Sequence, residues 1–514
     1  MTDSAFLRYE QIVLDTYDRF DSLVQKGQAK PLLVWHALLP MILPITALLF
    51  PRRRGGWLVR PVLFAVTLSI SIEIIRYRRV LLGANGYMIG LIMVWWLVWS
   101  STLLFFNDAE RHFQRIERAQ STPGPGAIAQ QNGHAKTKAV SLSKSLRASD
   151  ALVWQPYPQS FLHRVGWVFA LVLTMRGPEF SFRISTLDPI PPQYELKHHD
   201  PVRDHVREHA CPSTKSRLRA ALVRFVVAYL AIDTLKVIMI CDPYFFGDIT
   251  APLPVPFDVL NATPDLVRVY RSLVSGIGVY FALQLVTSLN PLFFLGLSTA
   301  FPNAARAITT TPLDVPWLYA DQFGPVSAIL DDGLAGAWGR WWHQIFRFGF
   351  VSTAKWLISL LPAAISSRRT LRRVTTTLIA FGISGLIHGT GSYTQMGHKT
   401  HPISGPFLFF ILQAVGIFFQ DTFARIVLSQ LKGLGVTPPR SLRRLGNAVF
   451  VLVWLFFSGS RIADDFARGG LWLTEPLPIS FLRGAMGRGW SCWQTPWFEY
   501  YDDGTYWGRG VRII

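Results

Sequence analysis

Two histidines in this chain sit where they could move a proton. His388 lies in Phe381-Gly-Ile-Ser-Gly-Leu-Ile-His-Gly-Thr390, near the end of an apolar stretch that carries no charge. Polar groups inside a membrane span are costly, so each one raises a functional question. An imidazole buried without a counter-charge stays neutral and basic. In that state it can take a proton from a hydroxyl. On spacing alone, a lone membrane histidine is more often structural than catalytic. Gly385 and Gly389 flank the histidine at GxxxG spacing, which lets another helix or a ligand come close.

His343 belongs to a denser constellation, Trp338-Gly-Arg-Trp-Trp-His-Gln-Ile-Phe-Arg347. Three tryptophans and two arginines suit an aromatic belt with snorkelling cations. A belt does not require His343 and Gln344 side by side, however. A third element, Ser366-Ser-Arg-Arg-Thr-Leu-Arg-Arg373, reads either as a topology signal or as a phosphate-binding cluster of Arg368, Arg369, Arg372 and Arg373. Asp233 and Lys236, three apart on one helical face, are expected to neutralise each other.

Other chemistries fit less well. His198, His199, His205 and His209 cluster, but the HxxHH pairs of a membrane di-iron oxygenase are missing. The run is expected to be a charged linker, and no metal site is expected. The three cysteines provide no CxxC pair and no disulfide framework, although Cys241 and Cys492 could pair on one side of the membrane. No GxSxG elbow is present.

The elements that position these residues follow from composition. The chain has 514 residues, half of them hydrophobic, and only 16% are charged. Soluble domains carry about 25% charged residues. Mean hydropathy is +0.27. A helical span needs about 20 apolar residues. Segments 31–50, 57–75, 88–106, 219–241, 271–289, 374–391, 404–428 and 445–460 approach or meet that requirement. The expectation is an all-α integral membrane protein, a multi-pass bundle of about eight spans with a range of 7–10. The segment at 31–50 is not followed by a small-residue cleavage site, so it reads as a span and not as a signal peptide. Residues 1–30 carry nine charges, with Phe6, Ile12, Val13, Tyr17 and Phe20 at helical spacing. They form an expected amphipathic segment. The expected organisation then continues with three spans over 31–106, a cytosolic and largely disordered loop over 107–160, a core over 161–465 and a Trp-rich tail over 466–514.

Lys and Arg exceed Asp and Glu by 51 to 32, a formal charge of +19. The surplus is spread between spans, which argues against nucleic acid and for positive-inside orientation. An eight-span path with a lumenal N-terminus satisfies most basic runs, whereas Arg76, Arg78 and Arg79 disagree with it. That path suits the endoplasmic reticulum membrane and puts Asn261-Ala-Thr263 on the lumenal side as a glycosylation sequon, with Pro264 hindering transfer.

At these residues the chain resembles a known family. Trp338 to Arg347 is similar to the WGRRWHQxFR signature of fungal wax-synthase-like members of the membrane-bound O-acyltransferases, and Ser384-Gly-Leu-Ile-His388 to their SGLxH element. Asp314-Val-Pro-Trp317, Phe323-Gly-Pro325, Asp242-Pro-Tyr-Phe245 and Arg176-Gly177 also match family features. Ala337 and Trp341 depart from it, standing where Phe and Arg are usual.

The resemblance implies direct acyl transfer from acetyl-CoA or another acyl-CoA to a hydroxyl, with no permanently bound cofactor. It implies His388 as the base and His343 as the second polar site residue. Gln344, Arg340, Arg347 and the Arg368–Arg373 cluster become candidate CoA contacts, and Trp338, Trp342 and Ser384 candidate substrate contacts. The implied partners are the lipid bilayer, a hydrophobic alcohol and acyl-CoA. A terpenoid or meroterpenoid acceptor is favoured, with long-chain wax or sterol esters as the alternative. A multi-pass transporter is the rival from another class, but no internal repeat supports it.

Overall fold

The computed structural model describes residues 2–52, 56–119, 152–188, 190–191, 212–397, 400–493 and 495–514. Of the loop expected over 107–160, residues 120–151 lie outside them, and its described ends carry the strands Gln114–Arg118 and Leu152–Pro156; the histidine run 198–209 and Cys211 also lie outside. The chain is an all-α multi-pass membrane protein with small sheets added. It forms two compact units.

The first unit comprises 1–107, 226–285 and 322–514 and holds both histidine constellations. Its helices are α1 (Thr2–Gln25), α2 (Val34–Leu49), α3 (Gly56–Tyr77), α4 (Tyr87–Ser101), α5 (Thr214–Cys241, from 226), α6 (Pro264–Asn290, to 285), α7 (Ser327–Gly336), α8 (Arg347–Ser359), α9 (Arg369–Thr394), α10 (Leu408–Gly433) and α11 (Arg440–Gly469). Among the described residues, five stretches are long and apolar enough to cross a membrane: Trp57–Tyr77, Tyr87–Phe106, Pro264–Ala300, Ile403–Gly433 and Arg440–Gly469. The three other expected segments are also helical. Each misses the same standard for a visible reason: α2 has 16 residues, α5 carries Arg224 besides Asp233 and Lys236, and α9 contains the basic cluster and many Thr and Ser. On α11, Leu452 and Phe457 are exposed, an arrangement that hydrocarbon tolerates and water does not.

The amphipathic face of α1 is used within the protein. Phe6 and Tyr9 pack with Ile240, while Phe20 and Val24 pack with Leu81, Met396 and Ile514. The C-terminal tail supplies two strands that period-2 reading could not find in such short pieces. Strands β1 (Lys30–Leu33), β2 (Arg78–Arg79), β3 (Phe498–Asp502) and β4 (Arg509–Ile513) form one sheet in the order β2-β1-β4-β3. Leu32 lies opposite Ile513, and Tyr500 opposite Val511.

Buried charges tie the tail to the helices, and they correct one expectation. Asp233 and Lys236 do not neutralise each other. Asp233 accepts from the Ser480 hydroxyl and from the Leu482 amide at 3.0 Å. Lys236 donates to the Trp472 and Thr474 carbonyls and lies 3.8 Å from Glu475. Asp242, at the end of α5, grips Arg271 on α6 with two bonds of 2.9 and 3.0 Å, and both side chains are buried. The Arg271 guanidinium also covers the Tyr244 ring at 4.5 Å. A bidentate pair with its remaining donors satisfied is the arrangement a buried ion pair needs, and breaking one costs about 3–5 kcal/mol. Cys241 and Cys492 are both free thiols.

The second unit comprises 108–225 and 286–321. Strands Gln114–Arg118 and Leu152–Pro156 pair antiparallel, and Ile116 packs with Leu295, Trp317, Leu318 and Tyr319. Arg176 donates to the Ala320 and Asp321 carbonyls. Burial pushes its guanidinium down to about 10 against the opposing pull of Asp188 and Asp321.

A close helix contact in the first unit joins α4 to α9. A Cβ on Gly90 would sit 2.2 Å from the Thr390 carbonyl oxygen, and one on Gly86 would sit 2.8 Å from the Thr394 oxygen. Thr394 closes the seam, accepting from the Gly90 amide at 3.1 Å and donating to the Gly86 carbonyl at 2.9 Å. Gly90→Ala should therefore lower the thermal midpoint, with a cost in the range of roughly 1–3 kcal/mol seen for overpacked cores. Gly276→Ala, whose added methyl meets nothing within 4 Å, should be neutral or gain up to about 1 kcal/mol. Equal midpoints for the two variants in detergent would show that the seam is not close-packed.

Candidate functional site

His388 stands about five turns along α9, on the side that meets α4 and α10. One face of its ring stacks on Phe410 of α10, with centroids 4.5 Å apart and planes 20° from parallel. Its Nδ1 lies 2.6 Å from the Tyr87 hydroxyl at the start of α4. The flanking glycines do what GxxxG spacing suggests. A Cβ on Gly385 would meet the Phe407 ring at 2.9 Å, and one on Gly389 the Pro402 oxygen at 3.0 Å. The π-helical turn Ile403–Phe407 can approach only because both lack side chains.

The second constellation begins as a π-helical turn over Ala337–Trp341, closed by the Trp342 amide on the Ala337 carbonyl at 2.7 Å. Such widened turns leave carbonyls without helical partners, and they recur at functional sites. Here the next residues supply the donors. The Gln344 amide donates to the Trp338 carbonyl at 2.9 Å and to the Trp342 carbonyl at 2.6 Å. Arg347 donates to the Gly339 carbonyl at 2.6 Å and to the Gln344 side-chain oxygen at 2.8 Å. Burial lowers the Arg347 guanidinium from its ordinary value. Behind the turn, the Gly324 amide binds the Trp341 carbonyl at 2.9 Å, and a Cβ on Gly324 would fall 2.1 Å from the Arg340 oxygen.

Aromatic contacts join the two constellations. Trp338 packs on Phe410 at 5.9 Å and on Trp342 at 5.9 Å, and Trp342 lies 5.4 Å from the His343 ring. The Trp338 indole donates to Gln413, which is fully buried and donates in turn to Ser458 and the Phe409 carbonyl. His343 also meets Phe323 and Phe346 edge-on. His388, His343, Trp338 and Trp342 are thus brought together, and Ser384 stands one turn before His388 on the same helix.

The charged residues are placed differently. Arg340 is half exposed and pairs with Asp332. Gln344 and Arg347 are spent on the π-helical turn. Arg368, Arg369, Arg372 and Arg373 are exposed at the N-terminal end of α9, and 15 to 20 residues separate them from His388. At 1.5 Å per residue that is roughly 22–30 Å along the axis. The Asn261 side-chain nitrogen, the atom a glycan would occupy, donates to the Leu253 carbonyl at 2.9 Å.

Sequence reasoning missed Tyr87, Phe410 and Gln413. Tyr87 and His388 are 301 residues apart, and nothing in a Tyr-Met-Ile-Gly stretch marks its first residue as a partner. Gln413, an amide within an apolar span, was the readable signal.

Comparison with known proteins covers the stretch that carries both constellations. Residues 319–412, which hold both constellations, match the membrane bound O-acyl transferase family. An O-mevalon transferase of Penicillium terrestre is 29% identical over 210 residues, 38% of this chain and 46% of that protein. An O-mevalon transferase of Aspergillus niger is 24% identical over 304 residues, 57% of this chain and 60% of that protein. An acetyltransferase of Hericium erinaceus is 31% identical over 157 residues, 30% of this chain and 38% of that protein. The chain therefore spans about half the length of the curated relatives it matches. No solved structure matches it. The resemblance read from the motifs is borne out over the stretch that carries them.

Gln344→Ala should expose the cost of the π-helical turn. It strands two carbonyls and leaves Arg347 with the Gly339 carbonyl alone, and each unmet buried group costs about 1–3 kcal/mol. A thermal midpoint equal to that of the unaltered protein would show that these bonds do not hold the turn.

Proposed function

We propose that this protein is an acyl-CoA-dependent O-acyltransferase of the endoplasmic reticulum membrane that acetylates a hydroxyl of a terpenoid-like acceptor. The observation that carries the reading is His388. It is an imidazole on α9 fixed by Phe410 and Tyr87 and joined to His343 through Phe410, Trp338 and Trp342, inside the stretch that matches the acyltransferase family.

The reaction needs one base and one oxyanion donor. The acceptor oxygen attacks the thioester carbonyl carbon as His388 takes the hydroxyl proton at Nε2. The carbonyl oxygen gains negative charge, and His343 donates a hydrogen bond to it. The C–S bond then breaks, and the CoA sulfur leaves with the proton returned by His388. Both N–H bonds of Gln344 already meet carbonyls, so the oxyanion role falls to His343. Cys241 and Cys492 lie on other elements, which favours a ternary complex without an acyl-enzyme.

The exposed arginines at the head of α9 suit the phosphates of CoA at the cytosolic face. The long pantetheine arm would then reach along the helix towards His388. Trp338, Trp342 and Ser384 line the acceptor side of the proposal. Relatives named for acetyl and for mevalon transfer differ in the group they carry, so the donor is a variable of the assay.

Membranes containing the protein, given labelled acetyl-CoA and a panel of terpenoid, sterol and long-chain alcohols, should form a labelled ester. His388→Ala should reduce the rate by at least about 10²-fold. No ester from any acceptor, or an unchanged rate in the variant, would overturn the reading. Replacing Arg368, Arg369, Arg372 and Arg373 together by Gln should raise KM for acyl-CoA and leave kcat unchanged, and the difference should shrink as salt screens the contact. A KM that does not move would remove the cluster from donor binding.

A further inference from the structure

Arg76, Arg78 and Arg79 run against the positive-inside pattern, and the site around His388 does not use them. In the fold they have company. Arg76 and Arg79, with Arg19 of α1 and Lys30 of β1, line one cavity of about 260 Å³ at the end of α3. Among the described residues, no Asp or Glu lines it. Acids nearby are engaged or turned away. Glu73, three residues before Arg76, grips Arg78 at 2.8 Å, and Asp21, two after Arg19, grips Arg512 at 2.9 Å. Asp18 is exposed and is not part of the wall. Asp503, in the turn between β3 and β4, is held below the usual carboxylate range by hydrogen bonds from Thr505 and, last, by the charge of Lys30.

Four cations around one hollow repel one another, the more so where water is thin. Lys30 and Arg76 are exposed, whereas Arg19 and Arg79 are half-buried. The half-buried pair is fixed in place. Arg79 donates to the Ile75 and Arg78 carbonyls at 3.1 and 2.8 Å and covers the Tyr393 ring, and Arg19 donates to the Met396 carbonyl at 3.2 Å. Gln395, just past α9, belongs to the same wall and is 6% exposed. Neither atom of its amide head has a hydrogen-bond partner. Buried polar groups are ordinarily satisfied, so an unmet amide beside unmatched cations asks for an oxygen-rich anion. A carboxylate brings two oxygens and one charge. A phosphoryl group brings three oxygens and up to two charges, and guanidinium forks fit it.

Depth and size narrow the source. Tyr77, on the wall, closes the apolar stretch Trp57–Tyr77. Tyr77 and Tyr393 are both exposed, as aromatic residues at headgroup level are. The cavity is smaller than the roughly 300–1,000 Å³ that encloses a drug-sized ligand. It holds a phosphoryl head and leaves acyl chains in the bilayer. The 26 residues of α9, roughly 39 Å at 1.5 Å each, separate it from the arginines assigned to CoA.

We propose that this hollow is a phosphoryl-anion site, filled from the bilayer by the headgroup of an anionic phospholipid on the face opposite the CoA arginines. The headgroup ties α1 and α3 to the end of α9, one residue beyond Thr394. The proposal goes beyond acyl transfer, and its test needs no turnover.

The test heats purified protein in detergent with dioctanoyl phosphatidic acid, with inorganic phosphate, or with dioctanoylglycerol, which keeps the chains and lacks the phosphate. Phosphatidic acid should raise the thermal midpoint as its concentration rises, because a ligand of the folded state must, and the rise gives an apparent Kd. Dioctanoylglycerol should not raise it, and added salt should weaken the effect of phosphatidic acid. Lys30→Gln combined with Arg76→Gln alters two exposed side chains, so the ligand-free midpoint should hold within about 1 °C. The apparent Kd should rise at least about tenfold in that variant. Gln395→Leu should also weaken binding, with a ligand-free midpoint no lower than that of the unaltered protein. Replacing Arg368, Arg369, Arg372 and Arg373 by Gln should leave the Kd within about twofold. Equal shifts from inorganic phosphate and phosphatidic acid would make the free anion the occupant and overturn the lipid source. No shift from any probe, an equal shift from dioctanoylglycerol, or full affinity in both the double variant and Gln395→Leu would overturn the site.

Discussion

The site depends on how closely α4 and α9 can approach. Gly86 just before α4, Gly90 on it and Gly391 on α9 leave no room for even a methyl group between backbone and ring. Thr394 fastens the seam to both glycines. In hydrocarbon there is little hydrophobic force between helices, so association relies on contact and interhelical hydrogen bonds. Small residues give contact, and a threonine gives bonds. The outcome is that Tyr87, the first residue of α4, lands against His388 near the end of α9. A seam wider by one methyl would break the 2.6 Å contact.

The second half of the site solves a different problem. A π-helical turn widens the backbone at Ala337–Trp341 and leaves carbonyls that hydrocarbon cannot satisfy. Gln344 and Arg347 satisfy them from the following residues. A signature dense in polar and charged residues is therefore partly self-consuming. Two of its members fold the turn, and His343 is left beside the aromatic wall formed by Trp342, Phe323 and Phe346. The arginines at the head of α9 stand apart because a straight helix separates them from the imidazole by its own length.

The buried charges elsewhere serve assembly. Asp242 with Arg271 locks the turn between α5 and α6, and Asp233 and Lys236 reach outwards to the segment 472–482. Those contacts, together with β3 and β4, hold the Trp-rich tail against α1 and the first strand. The tail thus has a structural task that its composition did not announce.

By itself, the sequence determined whatever local pattern and solvent dictate. Runs of apolar residues made an all-α multi-pass membrane protein unavoidable, because an unbroken apolar run satisfies its own backbone hydrogen bonds in hydrocarbon only as a helix. A histidine between glycines, and a Trp-rich signature with His343, were visible as candidate chemistry at their own positions. Tertiary structure alone decided which side chains meet. That Asp233 and Lys236 serve the tail, that Gln344 and Arg347 are spent on a turn, and that Tyr87 finds His388 from 301 residues away could be seen only in the folded chain. Spacing along one helix fixes a face, whereas the partner across the seam is chosen by where the small residues let two backbones meet.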